Sequence, residues 1–293
     1  MGIATNQQIT NYYEKYCDTE VVFSREVMNV LRVNPRQIYI KCNGDQWPCI
    51  INSTSFKMAK IILGRKGGAF QQITDISSPT VNLRFCFSEE QNKMLSFFIS
   101  GKVTDVIPYS KNADDPVIVT ITFTQRVPDD FILKFGTLIE ANANFLKRKE
   151  ERIPFTAETK QKLGIFGTEP IIFVENIPRK CVLRDISFSG ARILLLGHPQ
   201  FAQNKNIVLR LQFTDPIESI DICGNVRTVD TIEGRNDIIS AGIQFDETKV
   251  PISYKLRINS YLVTTRKNFL ETPDAPLHAS DDTSDAQTHI GNN

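Results

Sequence analysis

The chain has 293 residues, enough for about two domains of ordinary size. Its 41% hydrophobic and 23% charged content can fill cores and excludes a wholly disordered chain. No apolar run approaches the ~20 residues of a membrane-spanning helix, and Met1 to Asn6 lacks the basic and apolar parts of a secretion signal, so a cytoplasmic protein with no membrane span is expected.

The net charge of +1 hides an asymmetry. From Glu271 to Asn293 the sequence carries Glu271, Asp274, Asp281, Asp282 and Asp285 and neither Lys nor Arg. The other 34 basic and 28 acidic residues give residues 1–270 a net charge of +6, which suits a phosphate-bearing ligand. The six cysteines have no zinc-like CxxC pairing and read mostly as small core residues of a reducing compartment. Of the three histidines, His278 and His289 fall in the acidic stretch, leaving His198 in the body. Little is left for acid–base or metal chemistry, so a non-enzymatic protein without cofactor is expected.

In chain order, residues 6–18 read as an amphipathic helix with Ile9, Tyr12, Tyr13 and Tyr16 on one face. Strand signals follow at 37–42, 48–56, 58–63, 81–87, 94–108 and 116–123, rich in Ile, Val, Phe and Thr and bounded by turn residues. Gly64-Arg65-Lys66-Gly67-Gly68 lacks the spacing and Lys-Ser/Thr end of a phosphate loop and reads as a hairpin turn. Residues 129–147 read as a helix between domains, capped by Asp129 or Asp130, with Phe131, Leu133, Leu138, Ile139, Asn142 and Leu146 as an imperfect stripe. Strand signals return at 155–166, 169–175, 180–186, 191–196, 206–213, 217–229 and 237–245. A closing helix spans 253–268, with Tyr254, Ile258, Tyr261 and Leu262 as its apolar face. The acidic composition from Glu271 onward reads as a disordered tail.

The stretch that organises the rest is Lys147 to Ile193. Arg148 and Arg152 stand four apart in a basic segment, and Asp185, Ser187 and Gly190 mark a polar turn where an apolar strand stops. Two guanidinium forks set against a carboxylate, a hydroxyl and a glycine can hold an anion that also shows a hydrogen-bonding base edge. Bland readings stand beside this one. The arginines could be a solvated helix end near the negative end of its dipole, and Asp185 and Ser187 an ordinary strand-capping turn.

Arg148-x-x-x-Arg152 followed by Asp185-x-Ser187-x-x-Gly190 resembles the signature of the PilZ family, RxxxR and then D/NxSxxG. Gly242-Ile243-Gln244-Phe245 and the helix after it add to the resemblance. It implies two β-barrel domains joined by a helix and basic linker: an N-terminal split barrel over 1–140, a helix end and linker over 141–153, a six-stranded PilZ barrel over 154–270, and the tail from 271. It also implies a receptor for cyclic di-GMP that regulates motility, virulence or biofilm-related partners. Arg148 and Arg152 would take phosphate and the guanine Hoogsteen edge, Asp185 the Watson–Crick edge, Ser187 one hydrogen bond, and Gly190 a close backbone approach. Lys147, Arg184 and Arg192 are candidates for holding a stacked second ligand. The basic segment is expected to be mobile when empty, through mutual repulsion, and to order on binding and reorient the domains. An unidentified protein partner, with a flagellar motor among those compatible, would read that change. Two other readings are a nucleic-acid-binding barrel, for which no clear stripe of aromatic and basic residues is found, and an adaptor that binds no ligand.

Overall fold

Alternating buried and exposed positions on either side of one long helix build two antiparallel sheets. The computed structural model describes residues 6–271 apart from 67, 76–78, 90–92, 110–115 and 168. The first part comprises α1 (Asn6–Tyr16), β1 (Val21–Val22), α2 (Arg25–Val30), β2 (Tyr39–Cys42), β3 (Asp45–Pro48), β4 (Ile50–Thr54), β5 (Met58–Leu63), α3 (Gly68–Thr74), β6 (Thr80–Ser88), β7 (Met94–Pro108) and β8 (Val117–Phe123). The strand order is β1-β4-β5-β8-β7-β6-β2-β3. β3, at one edge, and β4, beside the other, are successive pieces of one extended run interrupted at Cys49. The sheet therefore curls back on itself through the chain, as a split barrel does.

The hairpin expected at 64–68 is not there. β5 pairs with β4 and β8, so the chain leaving it crosses through α3 to reach β6. Strand signals cannot reveal such an order, because hydrogen-bonding partners leave no mark on side-chain alternation. Gly67 lies outside the described residues.

The long helix α4 (Asp129–Lys147) belongs to both halves. Phe131, Ile132 and Phe135 enter the first core, where Phe131 stacks on Phe135 at 4.4 Å and meets Phe85 edge-on at 5.0 Å. Three turns later Phe145 enters the second core and meets Phe188 at 6.0 Å. Pro128, not an aspartate, occupies the N-cap; Asp129 and Asp130 sit in the first turn, where carboxylates suit the positive end of the helix dipole. Leu146, expected on the apolar stripe, is exposed.

The second part comprises β9 (Ile153–Pro154), α5 (Ala157–Leu163), β10 (Ile171–Val174), β11 (Ile177–Ile186), β12 (Gly190–Leu196), α6 (Pro199–Ala202), β13 (Asn206–Thr214), β14 (Ile217–Ile232), β15 (Arg235–Phe245) and α7 (Ile252–Glu271). Strands β10-β13-β14-β15-β12-β11 close into a six-stranded barrel through β10–β11, and β9 adds to β11. The strand expected over 155–166 is mostly α5. Thr156 accepts from the Thr159 amide at 3.1 Å as its N-cap, and Gly164 ends it in the left-handed conformation at φ 67°. Apolar residues at 155, 163, 165 and 166 mimic a strand, but the capping threonine and the glycine decide.

α7 braces the two halves. Tyr254, Ile258 and Leu262 fill the barrel core, while Ile252 and Leu256 pack against the first core. Its buried Asn259 donates to Glu140 Oε2 at 3.2 Å and accepts from Asn144 at 2.6 Å, both on α4. Tyr12 of α1 donates to the same Glu140 oxygen at 2.9 Å; burial pushes its phenol up to about 12, so it stays a donor at neutral pH. The helix runs to Glu271, where the acidic tail was expected to begin; residues 272–293 lie outside the described residues. Asn259→Ala is expected to lower stability by about 1–3 kcal/mol, because Glu140 and Asn144 each lose a buried partner. The shift of the urea midpoint measures it.

Candidate functional site

Helix α4 ends by delivering a basic segment to the barrel's outer face. Lys147 is its last residue and is exposed. Arg148 caps it at φ −126°, ψ 35°, its amide bonded to the Asn144 carbonyl at 2.8 Å. Five residues on, the chain becomes β9: Ile153 pairs with Ile186 and Pro154 with Asp185. Both sequence motifs therefore meet at one strand pairing. Arg152 Nη1 donates to Asp185 Oδ1 at 2.5 Å, joining the second arginine of one motif to the acid of the other.

A β-bulge explains how Asp185 faces outward. In β11, Leu183 opposes Ile193 and Asp185 opposes Arg192, so Arg184 is an extra residue. Leu183 and Ile186 are buried, while the two residues between them face solvent. Arg184 and Asp185 thus share a face with Arg192 on the next strand. Arg148, Arg184 and Arg192 have no side-chain hydrogen bond or ion pair with another described residue.

Ser187 and Gly190 have a different position. Both are buried. The Ser187 amide donates to the Gly190 carbonyl at 2.8 Å, and the Gly190 amide donates to Ser187 Oγ at 3.1 Å. Tyr254 on α7 donates to the Ser187 carbonyl at 2.5 Å. A Cβ on Gly190 would run into the Ile243 carbonyl oxygen on the neighbouring β15. These residues shape the turn that presents Asp185, rather than offering their own atoms to solvent.

The basic segment is not left to repel itself. Lys149 Nζ reaches Glu247 at 2.6 Å, and Glu151 accepts from Arg266 of α7 at 2.5 Å. Ser189 Oγ, inside the second motif, donates to the Lys149 carbonyl at 2.8 Å. A groove of about 440 Å³ follows Leu146 to Glu151. The expectation of a loose segment overlooked these partners, which lie far along the sequence.

Sequence reading also missed the far side of this face. Arg192 opposes Gly242, which opposes Thr228; Arg227 sits in a second bulge and donates to Gln244 at 2.8 Å. Gly242, within the Gly-Ile-Gln-Phe run, lies between Arg192 and the Arg227–Gln244 pair, and the Thr228 side chain occupies the space where its Cβ would stand. The only available signal was that run; the bulge is invisible without the register. Among the described residues no group of three or more His, Cys, Asp or Glu could hold a metal, and no helix is long and apolar enough to cross a membrane. Burial pushes the Cys49 and Cys181 thiols up to about 12, away from nucleophilic chemistry.

Comparison with known proteins agrees with this two-part layout. The family model described as PilZN3 domain matches residues 7–142, and that described as PilZ domain matches 146–262. A curated relative, the cyclic di-GMP binding protein of Treponema denticola, is 40% identical over 268 residues, covering 91% of this chain and 85% of the relative. The chain belongs to the PilZ family. Among solved structures, this PilZ protein is similar to Borreliella burgdorferi PlzA in complex with c-di-GMP, at 20% identity and a TM-score of 0.40, over 87% of this chain and 98% of that one. It is also similar to K. pneumonia MrkH in its apo state, at 13% identity and a TM-score of 0.30, over 86% and 96%.

Gly190→Ala is expected to cost about 1–3 kcal/mol, since the new methyl must displace β15 backbone. Arg192→Ala on the same strand is expected to stay within about 0.5 kcal/mol. Parallel denaturant titrations of the two variants check this.

Proposed function

We propose that the protein is a non-enzymatic cyclic di-GMP receptor whose ligand binds between the basic segment and the Asp185 turn. The observation that carries this reading is the contact of Arg152 with Asp185, which brings the two motifs within side-chain reach. The relative from Treponema denticola, named for binding this ligand, supports it.

The chemistry follows from the groups exposed. Each guanine offers O6 and N7 as acceptors on one edge and N1–H and N2–H₂ as donors on another. Arg148 and Arg152 supply planar forks for phosphate and for O6/N7. Asp185, ionised, accepts from the donor edge. Arg184 and Arg192 lie beside it on the bulged face, and with Lys147 they supply further cations for a second, stacked ligand. Ser187 and Gly190 act by holding the turn in shape.

In this reading Arg152 and Asp185 satisfy each other while the site is empty. Binding exchanges that pair for two ligand contacts. The pair is partly exposed, of a class worth about 0–1 kcal/mol, so opening it costs little. Residues 148–152 then change position between α4 and β9, and the two domains reorient, altering the surface shown to a protein partner in the cytoplasm. A flagellar motor is one compatible partner, and motility one process such a change would regulate.

Isothermal titration with cyclic di-GMP, cyclic di-AMP, GTP and single-stranded DNA tests the reading. Binding of cyclic di-GMP alone is expected, with the ligand recovered chemically unchanged. Arg148→Ala and Arg152→Ala should each weaken it by about 2–4 kcal/mol with the circular dichroism spectrum retained. Unaltered affinity in the double variant, or preference for single-stranded DNA with a steep salt dependence, would refute it.

A further inference from the structure

The C-terminal end of α7 lies against the linker. Arg266 donates to Glu151, the residue immediately before Arg152. Glu271, where the helix ends, is five residues further on, an axial rise of about 8 Å. The sequence that follows carries Asp274, Asp281, Asp282 and Asp285 and no Lys or Arg. Residues 272–285, fully extended, would span roughly 46 Å, more than enough to return to the linker.

The charges nearby are unevenly matched. Of the local carboxylates, Glu151 pairs with Arg266, Asp185 with Arg152 and Glu247 with Lys149, while Glu150 accepts only from the neutral Ser189 Oγ at 3.4 Å. Lys147, Arg148, Arg184 and Arg192 have no ion pair with a described residue. Four cations without an ion pair against one such carboxylate, Glu150, leave this face net positive.

We propose that the acidic segment 272–285 is a built-in competitor for this cationic face, its carboxylates standing in for ligand phosphates until ligand displaces them. The contact is inferred from charge complementarity and from the length of chain beyond Glu271. Its competitive consequence rests on the cyclic di-GMP reading above. A tethered segment acts at an effective concentration in the millimolar range, so even a weak contact lowers apparent ligand affinity. A reduction of roughly threefold to tenfold is expected at low salt, fading as salt screens the contact.

Two measurements on the full chain test this. The first is zero-length carbodiimide coupling of carboxylates to lysine amines, read by mass spectrometry. The Lys149–Glu247 pair serves as internal positive control. Coupling of tail aspartates to Lys147 or Lys149 in preference to Lys41 and Lys102 is expected, suppressed at about 0.5 M salt. Mixing isotopically heavy and light protein separates coupling within one chain from coupling between chains. Absence of tail coupling while the control pair couples, or coupling only between chains, overturns the proposal.

The second is the cyclic di-GMP affinity of the D274N/D281N/D282N/D285N chain, expected to be tighter by the factor above and to converge with the unaltered chain in high salt. Equal affinities at low salt overturn the competition. If neither chain binds cyclic di-GMP, the ligand reading fails, while the coupling experiment still decides the tail contact.

Discussion

Two residues of strand pairing hold the arrangement together. Ile153 opposite Ile186 and Pro154 opposite Asp185 make the end of the linker part of the barrel wall. Ile153 is buried in the barrel core, so this short strand is anchored by apolar burial as well as by hydrogen bonds. The Arg152–Asp185 contact is a consequence of that pairing: once Pro154 sits beside Asp185, the side chain two residues earlier is within reach. Without β9 the basic segment would have no fixed relation to the turn.

The second constraint is α7. Tyr254 grips the Ser187 carbonyl, Asn259 grips α4, and the Ile252 amide donates to Glu26 of α2 at 2.5 Å. Arg257 donates from Nε and Nη2 to Glu218 Oε1 and bonds to the carbonyls of Asp215 and Pro216, fixing the helix to the β13–β14 turn. One helix thus touches the motif turn, the interdomain helix and the first domain. Its interior positions are polar where it meets α4 and apolar where it enters the barrel. A brace that serves two bodies needs that division, because directional bonds fix orientation where a purely apolar contact would slide.

The legible parts of the sequence were those set by local pattern. The helices at 6–18, 129–147 and 253–268, and the strands at 58–63 and 94–108, follow from periodicity and lie where side-chain alternation places them. So did the two motifs, since their residue types carry their chemistry. Features that depend on a partner far along the chain did not show. The bulge at Arg184 exists only relative to Ile193 and Arg192, and the crossing from β5 to β6 exists only because β8 takes the place beside β5. Likewise the compensation of Lys149 by Glu247, across 98 positions, contradicts a prediction of repulsion made from neighbours alone. The strand expected at 155–166 failed differently: Thr156 and Gly164 signalled a helix, but apolar content outweighed them.

These constraints narrow which residues of the linker the proposed switch could move. Upstream, α4 is continuous through Lys147 and buries side chains in both cores, which ties it to both domains. Downstream, Ile153 is fixed in the barrel. Any change in the positions of Arg148 and Arg152 must be absorbed by residues 148–152. Three ion pairs hold that segment, from Lys149, Glu151 and Arg152, and all three are partly exposed. Exposed pairs are each worth about 0–1 kcal/mol, so their sum is at most a few kcal/mol. A ligand that prefers a second geometry by that amount shifts the balance, each 1.4 kcal/mol of preference changing the ratio of states about tenfold. Under the proposed switch, stronger pairs would hold this segment against any ligand, and absent pairs would leave it no defined empty state.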